Sequence, residues 1–318
     1  MVYTLTCNPA IDYVVHTRKL QPGATNRAED TELYFGGKGI NVSAVLKELG
    51  IVSVALGFIA GFTGEALEKG VQAMGIRTDL VRLRSGNTRI NVKIRSEENV
   101  AERQTGGTGR EVFFCQETEI NGAGPEVDGE AMESLLQKLD VLRDGDTLIL
   151  AGSIPGSLPA DTYARILKRL SGKKIRAVVD ATKELLRNTL PCRPFLVKPN
   201  EQELGELFGV KLSSDPETEY YAEKLQELGA RNVLVSMAGR GALLLDENGR
   251  KMRCSACRGE VRNSVGAGDS MVAGFVAGAV HGDYEQALKL ATAAGGATAF
   301  SDGLAKRESI MKLLEQIG

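Results

Sequence analysis

Three consecutive segments, Thr147-Leu-Ile-Leu150, Asp161-Thr-Tyr-Ala-Arg-Ile-Leu-Lys-Arg-Leu170 and Ile175-Arg-Ala-Val-Val179, set the pattern for the whole chain. The outer two are short apolar runs bounded by turn residues, and the middle one has the spacing of an amphipathic helix. A buried strand, a crossover helix and a second buried strand imply parallel pairing. The same alternation extends in both directions. Upstream, Val52 to Phe58 reads as a strand, Gly64 to Met74 as a helix and Asp128 to Leu142 as a further helix. Downstream come the runs Phe195 to Val197 and Val233 to Val235, with a helix over Glu217 to Leu228. A hairpin is predicted at Glu247-Asn248-Gly249, followed by helices over 269–280, 284–300 and 306–317. The expected fold is α/β, a doubly wound, mostly parallel sheet flanked by helices, with residues 1–318 as one domain.

Two segments, 12–35 and 88–121, interrupt the alternation. Thr88 to Arg95 alternates polar with apolar residues, the mark of a strand with one wet face. These pieces are expected to form a small β-sheet lid over the crevice at the carboxyl ends of the main strands, where open α/β sheets bind ligands. Residues 97–111 are polar and glycine-rich without periodicity and read as an exposed, mobile loop.

Bulk properties narrow the function. Charged residues make up 25% and hydrophobic ones 42% of the 318 residues, as in a globular protein with a sizeable core. The net charge of −2 and the lack of a basic tract give no footprint for nucleic acid. No signal peptide and no apolar run of membrane-spanning length is present, so no membrane partner is expected. Five cysteines, an odd number, fit a reduced, cytoplasmic setting. Cys254-Ser-Ala-Cys257 lacks the second pair of ligands that a tetrahedral metal site needs, and the only histidines are His16 and His281.

Chemistry concentrates in glycine-rich segments. Asn263-Ser-Val-Gly-Ala-Gly-Asp-Ser270 opens a helix, whose first N–H groups lack intrahelical partners and carry positive potential. Gly266, Ala267 and Gly268 would let a phosphate-sized anion settle on those amides. A static phosphate would repel Asp269, so its carboxylate suits a general base that takes a proton from an attacking hydroxyl. A plain glycine-rich turn with an N-terminal Asp is the competing reading. Gly36-Gly-Lys-Gly-Ile-Asn-Val42 opens a second helix, where Gly37, Lys38 and Asn41 suit a polyhydroxylated, phosphorylated ligand, or form only a tight turn. The Walker A spacing is missing. Asp12, following the first strand, could accept from two sugar hydroxyls or sit in a turn. In Lys198-Pro-Asn-Glu-Gln-Glu203, Asn200 and Glu203 fit a capping box, or a pair that holds hydrated Mg²⁺. Ser236-Met-Ala-Gly-Arg-Gly241 could wrap a nucleotide or merely join two strands.

Taken in order, Gly-Gly-Lys-Gly-Ile-Asn near 40, Lys-Pro-Asn-x-x-Glu near 200 and Gly-Ala-Gly-Asp at 266–269 resemble the ribokinase-like carbohydrate kinase family over nearly the whole chain. Five further segments look like the branch of that family that phosphorylates fructose 1-phosphate. They are residues 6–12, Thr88-Arg-Ile-Asn-Val-Lys93, Glu117-Thr-Glu-Ile-Asn121, Ala151-Gly-Ser-Ile-Pro155 and Val261 to Asp269. A departure lies at 97–116, where about twenty residues separate the strand of Arg89 from the acidic segment.

The resemblance implies a phosphotransferase that uses ATP and Mg²⁺ on an alcohol acceptor. Asp269 would be the base and the amides of 266–268 the anion hole. Asn200 and Glu203 would be the metal-associated pair, acting through water. The nucleotide would lie on Ser236, Ala238, Gly239, Gly241 and Gly268, and the sugar on Asp12, Gly37, Lys38 and Asn41. Arg89, with Arg27 from its own or a partner subunit, would clamp a substrate phosphate, because a sugar phosphate calls for a bidentate cation. The expected partners are small molecules and a second copy of the chain joined through the lid. The expected reaction gives fructose 1,6-bisphosphate. Tagatose-6-phosphate kinase and a non-catalytic sugar-phosphate sensor are the alternatives. A dinucleotide-dependent dehydrogenase is disfavoured by the lack of G-x-G-x-x-G after the first strand.

Overall fold

Apolar runs that cannot be satisfied at a surface become the central strands, and a computed structural model shows how they stack. It describes the backbone of residues 1–100 and 112–317. In chain order, β1 (Val2–Thr6) leads to β2 (Ala10–Thr17) and β3 (Asp30–Gly36), then α1 (Lys38–Glu48), β4 (Ser53–Ile59) and α2 (Gly61–Ala73). The short β5 (Arg77–Thr78) and β6 (Val81–Arg82) precede β7 (Arg89–Val100) and β8 (Val112–Asn121). Alternation resumes with α3 (Gly129–Leu139), β9 (Thr147–Ala151), α4 (Thr162–Arg169), β10 (Arg176–Asp180), α5 (Lys183–Arg187) and β11 (Leu196–Val197). The chain continues through α6 (Glu201–Phe208), α7 (Asp215–Glu227), β12 (Asn232–Ser236), β13 (Ala242–Leu245) and β14 (Lys251–Cys254). It closes with α8 (Ala267–Gly278), α9 (Tyr284–Ala299) and α10 (Arg307–Ile317).

The main sheet runs β14-β13-β12-β11-β10-β9-β1-β4-β5, with β6 also paired to β4. From β12 to β5 every pairing is parallel, and β13 and β14 add an antiparallel edge. That edge is the expected hairpin, with Leu245 opposite Lys251 and Gly249 at φ 80° in its turn. Both faces of the sheet are covered, so its inner strands, such as β9 and β12, are mostly apolar and buried, as buried parallel strands are. Leu148 and Leu150 enter one core cluster with Leu5, Phe58, Tyr163 and Val179. Ile149 points the other way, into a cluster with Val178, Leu234, Val272 and Phe275. The carboxyl ends of β1, β10, β11 and β12 therefore open onto one edge of the sheet.

The two interrupting segments form a separate four-stranded sheet in the order β3-β2-β7-β8. Its register runs from Asn91 opposite Asn121 to Val100 opposite Val112. This shortens the expected loop, since 97–100 and 112–116 are paired strand. The cross-strand hydrogen bonds override the polar composition that suggested a loop. The rest of that expectation, residues 101–111, lies outside the described residues. Asp12 is also relocated: it lies within β2 of the small sheet, beside Asn91 and Tyr34, rather than at the end of a core strand.

Candidate active site

The start of α8 is bare. Gly266 caps it at φ 80°, a left-handed conformation that a glycine adopts without strain. No capping side chain covers the helix end. Among the described residues nothing accepts from the N–H groups of Gly266 and Gly268. The Ala267 N–H, by contrast, donates to the Ser264 carbonyl at 3.2 Å. The expected hole of three free amides is thus two free amides with a third already engaged by its own turn. Side chains here would close the site: a Cβ on Gly266 would meet Leu304 at 2.6 Å, and one on Gly268 would meet the Lys198 ammonium at 3.0 Å.

Asp269, in the first turn of that helix, is buried and accepts from Asn41 Nδ2 at 2.8 Å through Oδ2. Burial pushes its carboxyl up to about 6, helped by the nearby charge of Asp180 and opposed by Lys38, Asn41 and Lys198. A carboxyl so placed can hold a proton near neutral pH, which is what a general base requires. Asp180, at the end of β10, is 1% exposed and bridges two cations, Lys38 at 3.2 Å and Lys198 at 3.4 Å. Burial alone would raise the Asp180 carboxyl, but the two ammonium groups outweigh it and hold the value below the usual range. Burial likewise works against the charge of Lys38, and Asp180, Asp269 and Glu203 reverse the effect, so its ammonium persists.

Gly266, Gly268, Asp269, Asn41, Lys38 and Lys198 line a cleft of about 1280 Å³, which Asp12, Gly37, Arg89 and Asn91 also line. Asn91 Nδ2 donates to Asp12 Oδ1 at 2.7 Å, fixing the carboxylate against the cleft. Gly37 caps α1, and a Cβ there would strike Thr6 at 2.5 Å, so β1 and α1 approach closely enough to set Lys38 at the cleft. Arg89 is half-buried and donates through Nε to the Asn8 carbonyl at 3.2 Å. Arg27 is different: it is exposed, in the β2–β3 connection, and is not part of the cleft.

The same cleft is lined by Asn200, Glu203, Ser236, Ala238, Gly239 and Gly241. Asn200 caps α6 and accepts from the Glu203 N–H at 2.7 Å, while Glu203 Oε2 accepts from the Asn200 N–H at 2.9 Å. The capping box is therefore present, and it aims both side chains into the cleft with one Glu203 oxygen left over. The 236–241 turn contains Ala238 at φ 48° and Gly241 at φ 92°. A Cβ on Gly241 would collide with the Cys254 carbonyl at 2.0 Å. Cys254 and Cys257 are free thiols.

Sequence reasoning passed over Asp180, Lys198 and Asn91. Asp180 and Lys198 carried a usable signal, since each directly follows a predicted core strand, Ile175 to Val179 and Phe195 to Val197. Asn91 lies in the strand quoted for its alternation, on its polar face.

A parallel α/β sheet covered by helices on both faces, a helix start with two unpaired amides, a buried carboxylate beside it and a separate small sheet define a phosphoryl-transferring enzyme of sugar-kinase type. The chain belongs to the pfkB family of carbohydrate kinases, whose family model matches residues 1–309. It is 42% identical to a 1-phosphofructokinase of Bacillus subtilis, with 100% of this chain and 98% of the relative aligned. It is 35% identical to a D-tagatose-1-phosphate kinase of Bacillus licheniformis over the same shares. A crystal structure of a candidate phosphofructokinase from Staphylococcus aureus superposes with a TM-score of 0.83 at 40% identity, covering 99% of this chain and 97% of that one.

Proposed function

We propose that this chain transfers the γ-phosphoryl group of ATP to the 6-hydroxyl of fructose 1-phosphate, giving fructose 1,6-bisphosphate and ADP. The observation that carries this reading is the pairing of Asp269 with the free amides of Gly266 and Gly268. The carboxylate accepts the proton of the 6-hydroxyl as its oxygen bonds to the γ-phosphorus, and the bond to the bridging oxygen of ADP breaks. The amides and the positive end of α8 meet the charge on the transferred group. Ser236, Ala238, Gly239 and Gly241 cradle the nucleotide, whose phosphates run toward Gly268. Asp12, fixed by Asn91, and Asn41 take the sugar hydroxyls, and Arg89 takes the 1-phosphate.

Asn200 and Glu203 fit a hydrated Mg²⁺: their box leaves Glu203 Oε1 and a second lone pair on Asn200 Oδ1 as acceptors at the cleft, which suits contact through the ion's bound waters. Bound there, the ion would neutralise charge on the nucleotide phosphates. Residues 1–318 act as one kinase domain in the cytoplasm, with the small sheet as its lid. No described helix is long and apolar enough to cross a membrane.

The lid also supplies a dimer surface. Leu33, Tyr13, Val92 and Ile120 form one row across its four strands, on the face opposite Asp12. Leu33 and Ile120 in that row are exposed, as is Ile90 beside it. Pairing of two lids would cover this row and could bring Arg27 of one copy to the other's cleft.

Tagatose 6-phosphate is not favoured as substrate, because the tagatose kinase among the relatives is named for the 1-phosphate. A sensor that had lost catalysis would not need Asp269, Asn200 and Glu203 together. Side-by-side turnover with ATP on fructose 1-phosphate, fructose 6-phosphate, tagatose 1-phosphate and tagatose 6-phosphate tests the reading. Fructose 1-phosphate should give the highest kcat/KM. A preference for either 6-phosphate would overturn it.

A further inference from the structure

Lys198 is a lysine that the cleft buries and leaves underused. It is 4% exposed yet lines the cleft, and its Nζ lies against Gly268, whose amide is free. An ammonium has three donors. Among the described residues the sole partner of Lys198 Nζ is Asp180 Oδ1 at 3.4 Å, and that oxygen accepts no hydrogen bond at all. A buried charge this poorly satisfied is costly unless a further group completes it. The position follows from the parallel sheet: Val179 pairs with Val197, so the next residues, Asp180 and Lys198, leave neighbouring strands side by side. Asp180 itself stays behind the cleft wall, with Lys38 on its other oxygen at 3.2 Å.

One carboxylate between two ammonium groups carries a surplus of one positive charge. Asp269 offsets that surplus while it is ionised. When Asp269 takes the proton of the acceptor hydroxyl, the surplus is exposed beside the free amides, at the moment the migrating phosphoryl group needs it. A structural counter-ion for Asp180 would not require Lys198, because Lys38 already serves.

We propose that Lys198 is a catalytic cation that donates to the transferred phosphoryl group at the Gly268 amide, and that Asp180 is a positioning residue holding Lys198 and Lys38 on opposite sides of it. This rests on the kinase reading above. The step adds no new bond: as the γ-phosphorus passes from the ADP oxygen to the sugar oxygen, Lys198 keeps its three protons and only its hydrogen bonds change.

The test begins with wild-type kcat and KM for ATP and fructose 1-phosphate, then compares Lys198→Met, which keeps the length and removes the charge, and Asp180→Asn. Thermal midpoints and ADP dissociation constants are measured on all three proteins. Lys198→Met should lower kcat by on the order of 10²–10³, the range for losing one donor to a developing charge, with both KM values and the ADP affinity changed by less than about threefold. Asp180→Asn should lower kcat by at least roughly tenfold with the same unchanged KM. An active wild type whose Lys198→Met variant keeps kcat within about threefold overturns the proposal and leaves the kinase reading standing. A wild type without turnover on any phosphorylated ketohexose overturns both. Should Lys198→Met fail to fold, Asp180→Asn decides: an unchanged kcat in the folded variant overturns the proposal.

Discussion

Asp269 binds its proton more tightly in the folded chain than a free aspartate would, because burial raises its carboxyl to about 6 from an ordinary 3.8. A group raised in this way contributes all of its stability below the unfolded value. That contribution is lost as pH rises through about 6. At pH 8 the fold therefore carries a buried charge at a cost on the order of 1–3 kcal/mol. Asp269→Asn removes the charge, so its thermal midpoint at pH 8 should exceed that of wild type by roughly 2–5 °C, with the difference gone at pH 4. Equal midpoints at pH 8 would show that the carboxylate is better solvated than its burial indicates. Arg89→Ala should raise KM for fructose 1-phosphate by about 10–100-fold with kcat nearly unchanged, as expected for a lost charge-assisted hydrogen bond made equally in both states. An unaltered KM would remove Arg89 from the phosphate clamp. At this scale, what a motif holds within a few residues was legible in the sequence. Gly266, Gly268 and Asp269 share one helical turn, and Gly37 and Lys38 another. Asp180 and Lys198 were not, since their meeting depends on which two strands are neighbours and on the register between them.

Helix starts show how one pair of residues serves two ends. Asn200 with Glu203 on α6 and Ser214 with Glu217 on α7 make the same capping box. Only the first faces the cleft. Losing either cap oxygen should cost about 1 kcal/mol of stability. Ser214→Ala should then leave activity intact. Asn200→Ala should add to the same stability loss a several-fold increase, roughly a factor of 3–10, in the Mg²⁺ concentration for half-maximal rate. Parallel denaturation curves and Mg²⁺ titrations separate the two roles, and identical titrations would reduce Asn200 to a cap. The sequence suggested both readings of Asn200 because both require an oxygen at the same place. It placed the helices and core strands well, from their periodicity. It misjudged 97–100 and 112–116: the polar Glu97-Glu-Asn99 run and the long insertion between the two strands hid a pairing that only the antiparallel partner creates. Asp12 was misplaced for a similar reason: Asn8 and Pro9 break the chain between β1 and β2, and the lid strand begins before it.

At the scale of the whole molecule, two sheets divide the work. The large sheet presents the carboxyl ends of β10, β11 and β12 with the start of α8, and the small one brings Asp12, Arg89 and Asn91 over them. The outer face of the small sheet keeps Leu33 48% and Ile120 61% exposed, an unusual arrangement for apolar side chains in one cross-strand row. A double Leu33→Asp, Ile120→Asp variant should convert a dimer into a monomer by light scattering, with reduced turnover if Arg27 crosses between copies. A wild-type protein already monomeric at micromolar concentration would contradict the shared lid. The alternation of strands and helices foretold the large sheet and the existence of a lid, but not which lid face meets the cleft, because that depends on the register of all four strands.

The most direct measurement is the pH dependence of kcat/KM for fructose 1-phosphate in wild type and in Asp269→Asn. The wild-type value should rise with pH through a midpoint near 6 and then level off, as the free enzyme's base loses its proton. The variant should be slower by on the order of 10²–10⁴ and should lack that limb. An Asp269→Asn protein that keeps both the wild-type rate and the acid limb would contradict the assignment of this carboxylate as the base.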